Sequence, residues 1–207
     1  MSDVTFRVSD GDKIGLVGRN GAGKTTLTKT LAGDLAPSGG AIDRIGEIGY
    51  LPQDPRSGNP EELARTRILD ARGLGSLVVG MREATEQMAS PDVAVSERAM
   101  KRYATLNDQF LALGGYAAEA EAAAIASNLA LPDRILDQPL KTLSGGQRRR
   151  IELARILYSG ARTMLLDEPT NHLDADSVGW LREFLKGYQG GLIVISHDVE
   201  LVGETVN

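Results

Sequence analysis

Apolar residues fall into short unbroken runs near the two ends of the chain and into helical spacing between them. KIGLVG (13–18), TMLL (163–166) and LIVIS (192–196) are too short for helices, and each predicts a buried strand. Residues 24–31 read as a helix with Gly33 at its stop, and 145–158 and 177–186 read as two more. Residues 41–54 alternate but are broken by glycines, which predicts short strands or a hairpin ended by Pro52. From about 61 to 131, Ala, Glu, Leu, Met and Arg dominate and β-branched runs are scarce. That stretch predicts helices over 61–72, 75–89 and 95–113, a break at Gly114 and Gly115, and an Ala/Glu-rich helix over 117–129.

Strands alternating with helices argue for an α/β fold, a mostly parallel sheet covered on both faces. The expected organisation is a core of residues 1–54 and 140–207 with a helical subdomain, 55–139, inserted between them. Composition refines this only slightly. Hydrophobic residues make up 42 % and charged residues 25 % of the 207, as in an ordinary soluble globular protein. A net charge of −5 argues against a broadly basic nucleic-acid binder and leaves room only for a local basic patch. The absence of cysteine excludes disulfides, thiol catalysis and thiolate zinc sites, and is compatible with a reducing cytoplasm. No apolar run approaches the ~18 residues of a membrane span, and no signal peptide precedes Asp3. The expectation is a soluble, cytoplasmic chain without stable membrane insertion.

The chemistry is concentrated at the predicted strand ends. GRNGAGKT (18–25) fits G-x-x-x-x-G-K-[ST] without a mismatch, after a predicted strand and at the start of a predicted helix. Gly21 and Gly23 allow backbone N–H groups to turn inward around phosphate oxygens. Lys24 brings a point charge, the Thr25 hydroxyl is a magnesium ligand, and the helix points its positive end at the anion. The cradle as a whole is Gly18, Arg19, Asn20, Gly21, Ala22, Gly23, Lys24, Thr25 and Thr26, with ATP and Mg2+ as the expected ligands.

Hydrolysis needs more than a cradle: a held magnesium ion, a positioned water and charge stabilisation. In TMLLDEP, Asp167 ends an apolar strand where it can orient magnesium, and Glu168 follows as a candidate general base. A lone histidine after a strand, such as His197, is ordinarily structural or solvated. Gly18, Asp167 and His197 each follow a predicted core strand, however, and ligand sites gather at the carboxyl ends of parallel strands, which makes His197 a candidate γ-phosphate sensor. Gln53 alone reads as a surface loop residue, and Ser144 with Gly145 and Gly146 alone reads as an N-cap and turn.

Taken together the residues resemble the nucleotide-binding domain of an ABC ATPase, a P-loop NTPase with a parallel-sheet core and a helical subdomain. GRNGAGKTT resembles its Walker A, LPQD its Q-loop, LSGGQ its signature, MLLDEP its Walker B, NHLD its D-loop and ISHD its H-switch, all in the family's order. The resemblance implies that Gln53 binds magnesium and couples the helical subdomain to the site. It makes Glu168 the general base and His197 the switch, and it places Asp174 at a dimer interface. It also implies that Ser144, Gly145, Gly146 and Gln147 face the γ-phosphate held by a partner domain, and so lie exposed in a monomer.

A narrower resemblance, carried by DEPTNHLD, GGQRRRIELARIL and GGYAAEAEAAAI, is to the ABC-F family of translation factors and ribosome-protection proteins. Its members carry two nucleotide-binding domains and often a helical arm in the first. Here Gln53 and Ser144 are 91 residues apart, and an arm over about 75–114 fits; a merely longer helical subdomain is the alternative. The implied partners are a second nucleotide-binding domain or a second copy of this one, and the ribosome with its rRNA and tRNA. The implied activity is a Mg-dependent ATPase, weak as an isolated domain, serving translation regulation or antibiotic resistance.

The sequence departs from the family pattern in places. Phe6, on a predicted strand, is the only aromatic residue before the phosphate loop, and it does not clearly match the family's adenine-stacking position. The chain reads as a truncated first domain without its edges. Acidic residues balance Arg82, Arg98, Lys101 and Arg102 in the arm, and Arg148 to Arg150 read as a solvated helix face more readily than as an RNA patch. The rival reading is the ATP-binding subunit of a membrane transporter.

Overall fold

The computed structural model describes residues 4–19, 21–53 and 58–206. Asn20 and Asp54, named above in the cradle and the hairpin, lie outside the described residues. In chain order the elements are β1 (Lys13–Gly15), α1 (Lys24–Ala32), β2 (Ile48–Leu51), α2 (Ala64–Leu69), α3 (Gly75–Met88), α4 (Val93–Ala112), α5 (Gly115–Asn128), α6 (Asp133–Leu136), α7 (Gly145–Tyr158), β3 (Thr163–Asp167), α8 (Ala175–Gly187), β4 (Gly191–Ile195) and α9 (Val199–Thr205). They fall into two compact units. One is Met1–Arg56, Asn128–Ala130 and Ser159–Asn207; the other is Ser57–Ser127 and Leu131–Tyr158.

The first unit is built on a four-stranded, all-parallel sheet in the order β1-β4-β3-β2. Every residue of β4 is buried, as are Met164 to Asp167 of β3, which is why these two strands read as continuous apolar runs rather than alternating ones. The register sets Asp167 opposite Ile195, so β3 and β4 end side by side. Beside β4, β1 closes one edge, and Leu16 still donates to the Val194 carbonyl at 2.8 Å beyond the strand proper.

The segment 41–54 does not form a hairpin among the described residues. Only Ile48–Leu51 is extended, and it pairs in parallel with β3 from Ile48↔Thr163 to Leu51↔Leu166. Gly46, at a φ of 81°, turns the chain just before this strand and leaves four residues to pair with the free edge of β3. Phe6 lies in irregular chain and is 41 % exposed, not on a strand.

The second unit is helical. α3 and α4 form an antiparallel hairpin, and Asp92 caps α4 by accepting from Ala94 N at 2.8 Å and Val95 N at 3.3 Å. Phe110 is buried, with Tyr116 edge-on to its ring at 5.4 Å. The return to the sheet unit falls at Ser159 rather than at residue 140, because α7 packs on α2. Arg67 on α2 grips the buried Glu152 on α7 with two hydrogen bonds of 2.6 and 3.3 Å. Farther along, Arg72 stands 4.0 Å over the Tyr158 ring and forks onto Glu121 with two bonds of 2.7 Å.

Candidate functional site

The site forms within the sheet unit, where β1, β3 and β4 end. α1 starts at Lys24 from Gly23, whose φ of 90° only glycine adopts cheaply, and no side chain caps it. The first-turn N–H groups are therefore left for an external anion. A cavity of about 640 Å³ lies against this helix start. Its walls include Gly21, Gly23, Lys24, Thr25 and Thr26 from the loop and helix, Gln53 after β2, Asp167 and Glu168 after β3, and His197 after β4.

Lys24 is held in place by its own loop: Nζ donates to the Gly18 carbonyl at 2.7 Å and to that of Arg19 at 3.2 Å. Thr25 Oγ1 donates to Asp167 Oδ2 at 2.8 Å. Asp167 is only 2 % exposed, so the end of a buried strand fixes this carboxylate. Behind it, burial and then the charge of Asp167 hold the Tyr50 phenol above the usual tyrosine range, while contact with Thr28 pulls the other way.

Glu168 is gripped from β4. Its N–H extends the ladder to the Ile195 carbonyl at 2.8 Å, and its Oε2 accepts from the His197 backbone N–H at 3.2 Å. The His197 ring is close as well, with Nε2 3.4 Å from Glu168 Oε1. Glu168 has a φ of 51°, uncommon outside glycine, and the strain turns the chain sharply where the strand stops. One carboxylate thus faces the phosphate loop through Thr25, and the next is held by His197.

Not every expected residue lines the cavity. Gly18, Arg19 and Ala22 serve the loop itself, Ala22 N donating to the Arg19 carbonyl at 3.1 Å. Asp174 caps α8 by accepting from Ser177 N at 2.8 Å. Ser144 to Gln147 belong to the helical unit. There Ser144 Oγ accepts from Gln147 N at 3.2 Å while Gln147 Oε1 accepts from Ser144 N at 2.9 Å, a reciprocal cap on α7. Ser144 and Gly145 are exposed as expected, but Gly146 and Gln147 are half-buried, Gln147 because its side chain folds back to make that cap. Asn171 and Ile195 line the cavity without having been expected there. Asn171 lies in the same turn as Glu168, its N–H 3.3 Å from the Glu168 carbonyl, and that nearness in sequence was the available signal.

The residues suit a magnesium nucleotide. Among the described residues no three His, Cys, Asp or Glu side chains gather into a metal cage. A hydroxyl and a single carboxylate beside an anion site match a cation that completes its shell with phosphate and water. The fold and site define a P-loop nucleotide-binding domain of the ABC type. The chain belongs to the ABC transporter family, whose sequence model matches residues 1–171.

Similar proteins include the tylosin resistance ATP-binding protein TlrC of Streptomyces fradiae, 40 % identical over 96 % of this chain and 37 % of its own length. Another is the energy-dependent translational throttle protein EttA of Haemophilus influenzae, 38 % identical over 96 % of this chain and 35 % of its own. Both are ABC-F proteins. The chain spans about a third of the length of such relatives. Among solved structures, an ATP-binding subunit of an ABC transporter shares the fold, with a TM-score of 0.68 at 20 % identity over 99 % of this chain and 75 % of that one. Among the described residues no helix is long and apolar enough to cross a membrane.

Proposed function

We propose that this chain is an ATP-binding and ATP-hydrolysing domain of an ABC-F protein that acts on the ribosome in the cytoplasm, in translation regulation or antibiotic resistance. The observation that carries the ATPase reading is the meeting of two pairs at one cavity, Thr25 with Asp167 and Glu168 with His197, next to an uncapped helix start. The tylosin resistance of TlrC and the translational throttling of EttA support the ribosomal part.

Lys24 and the first turn of α1 bind and orient the phosphates. Thr25, Asp167 and Gln53 would hold magnesium, which supplies charge neutralisation on the phosphate oxygens when bound. Glu168 accepts the proton of the attacking water as that oxygen bonds to the γ-phosphorus and the bond to ADP breaks. His197 keeps the Glu168 carboxylate aimed at that water. Ser144 to Gln147 and Asp174 serve the site of a second nucleotide-binding domain or a second copy. Closure of two such domains on ATP, and reopening after hydrolysis, is the motion delivered to the partner. Alone, one domain is a weak ATPase.

The description of the matching family favours a second reading, the ATP-binding subunit of a membrane transporter. Glu168→Gln in the full-length protein separates the two. The substitution slows hydrolysis by about 10²- to 10⁴-fold with ATP still bound, and the trapped protein is expected to sediment with ribosomes. Sedimentation with membranes instead would replace the ribosomal reading by the transporter one.

A further inference from the structure

Helix α9 begins two residues after His197. Asp198 is its cap: Oδ1 accepts from Leu201 N at 2.9 Å, and its own N–H donates to Ser196 Oγ at 3.0 Å. The turn at His197 and the first turn of α9 are thereby one hydrogen-bonded piece.

A helix of 7 residues does not hold itself in water, so neighbours must fix it. On its inner side Leu201 and Thr205 are buried. It also presses on β1, where a methyl group at Gly15 would come within 2.9 Å of Val202 Cγ1 and 3.1 Å of Val206 Cγ2. On its outer side it is tied to α8. Arg182 Nη1 donates to Glu200 Oε2 at 3.0 Å and to Glu204 Oε1 at 3.3 Å, and Lys186 Nζ donates to Glu204 Oε2 at 2.6 Å. The Arg182 side chain is only 20 % exposed and takes two carboxylates at once, but Glu200 and Glu204 are 75 % and 46 % exposed, so the link is partly screened and rests on the two bonds acting together. Its partner Glu200 stands three residues beyond His197.

We propose that Arg182 is a positioning residue for the Glu168–His197 pair: through Glu200 and Glu204 it fixes α9, and through α9 it fixes the His197 N–H that donates to Glu168 Oε2. α8 is also the helix that Asp174 caps. The proposal rests on the reading of Glu168 as the base that activates water.

The test uses the full-length protein and two readouts. Arg182→Glu sets like charges against Glu200 and Glu204. It is expected to lower kcat for ATP about tenfold, below the ~100-fold of a 1 Å misplacement, with KM for ATP unchanged. The same variant should speed hydrogen exchange at the His197 amide. Adding Glu200→Arg restores an opposite-charge pair at the link nearest His197, leaving Glu204 unchanged, and should recover much of both readouts, as should the conservative Arg182→Lys alone. Wild-type kcat and exchange in Arg182→Glu overturn the proposal. So does a loss that Glu200→Arg fails to rescue, since that marks mere loss of fold. If the wild-type protein shows no ATPase activity, the hydrolysis reading falls, and His197 exchange still decides whether Arg182 positions this turn.

Discussion

Thr25 and Asp167, 142 residues apart in sequence, meet in a 2.8 Å hydrogen bond from Oγ1 to Oδ2. One stands in the first turn of α1 and the other ends the buried strand β3. A hydroxyl and a carboxylate already in contact need little rearrangement to share a cation, because both are fixed by elements they do not have to move.

Thr25→Ala therefore separates metal binding from phosphate binding. Without magnesium the variant should bind ATP nearly as well as the wild type, since Lys24 and the helix start remain. The gain in affinity on adding magnesium should shrink by about tenfold, one lost interaction of a charged group. Calorimetry with and without magnesium reads this directly. An unchanged magnesium gain would remove Thr25 from the cation site.

In the helical unit, Glu152 is 4 % exposed and held by Arg67 and, at 2.9 Å, by Arg155. Arg67→Leu leaves that carboxylate half-paired. The expected cost is about 3 kcal/mol, the low end for a broken buried pair because Arg155 remains. Replacing Glu152 by Leu as well should recover much of the loss, since no buried charge is then stranded. Urea unfolding of the three proteins checks the order.

Glu62 supplies a pH dependence. Burial first, opposed by Arg67 and reinforced by Asp70 and Glu152, pushes its carboxyl above the usual glutamate range. The folded state thus holds this proton more tightly than the unfolded chain. Its contribution to stability is fully present below the ordinary glutamate range and is lost as pH rises through the higher folded value. Glu62→Gln should accordingly raise stability at neutral pH, with the gain vanishing in acid. Denaturation midpoints at about pH 7 and about pH 3.5 test it, on either side of the ordinary range; a gain equal at both would assign the effect to packing.

Much of the candidate site's lining was legible because its signals are local. A glycine turn before a helix, and carboxylates directly after an apolar run, are set by a few neighbouring residues. Helix 145–158 and the strand starting at Thr163 were read to within a residue for the same reason. Asn171 escaped because its place on the cavity depends on the left-handed turns at Glu168 and His172. α9 escaped as well, since 7 residues carry too little periodicity and gain their helix from β1 and α8.

By itself the sequence determined the parallel α/β class, the phosphate loop and the order of the six motifs, since each rests on spacing within a short window. Tertiary structure alone decided which residues meet: that 41–54 yields one strand parallel to β3, that Glu152 pairs with Arg67, and that His197 donates to Glu168. Partner choice across long stretches of chain depends on the burial of whole faces and on which edge of a sheet is free. No local pattern records either.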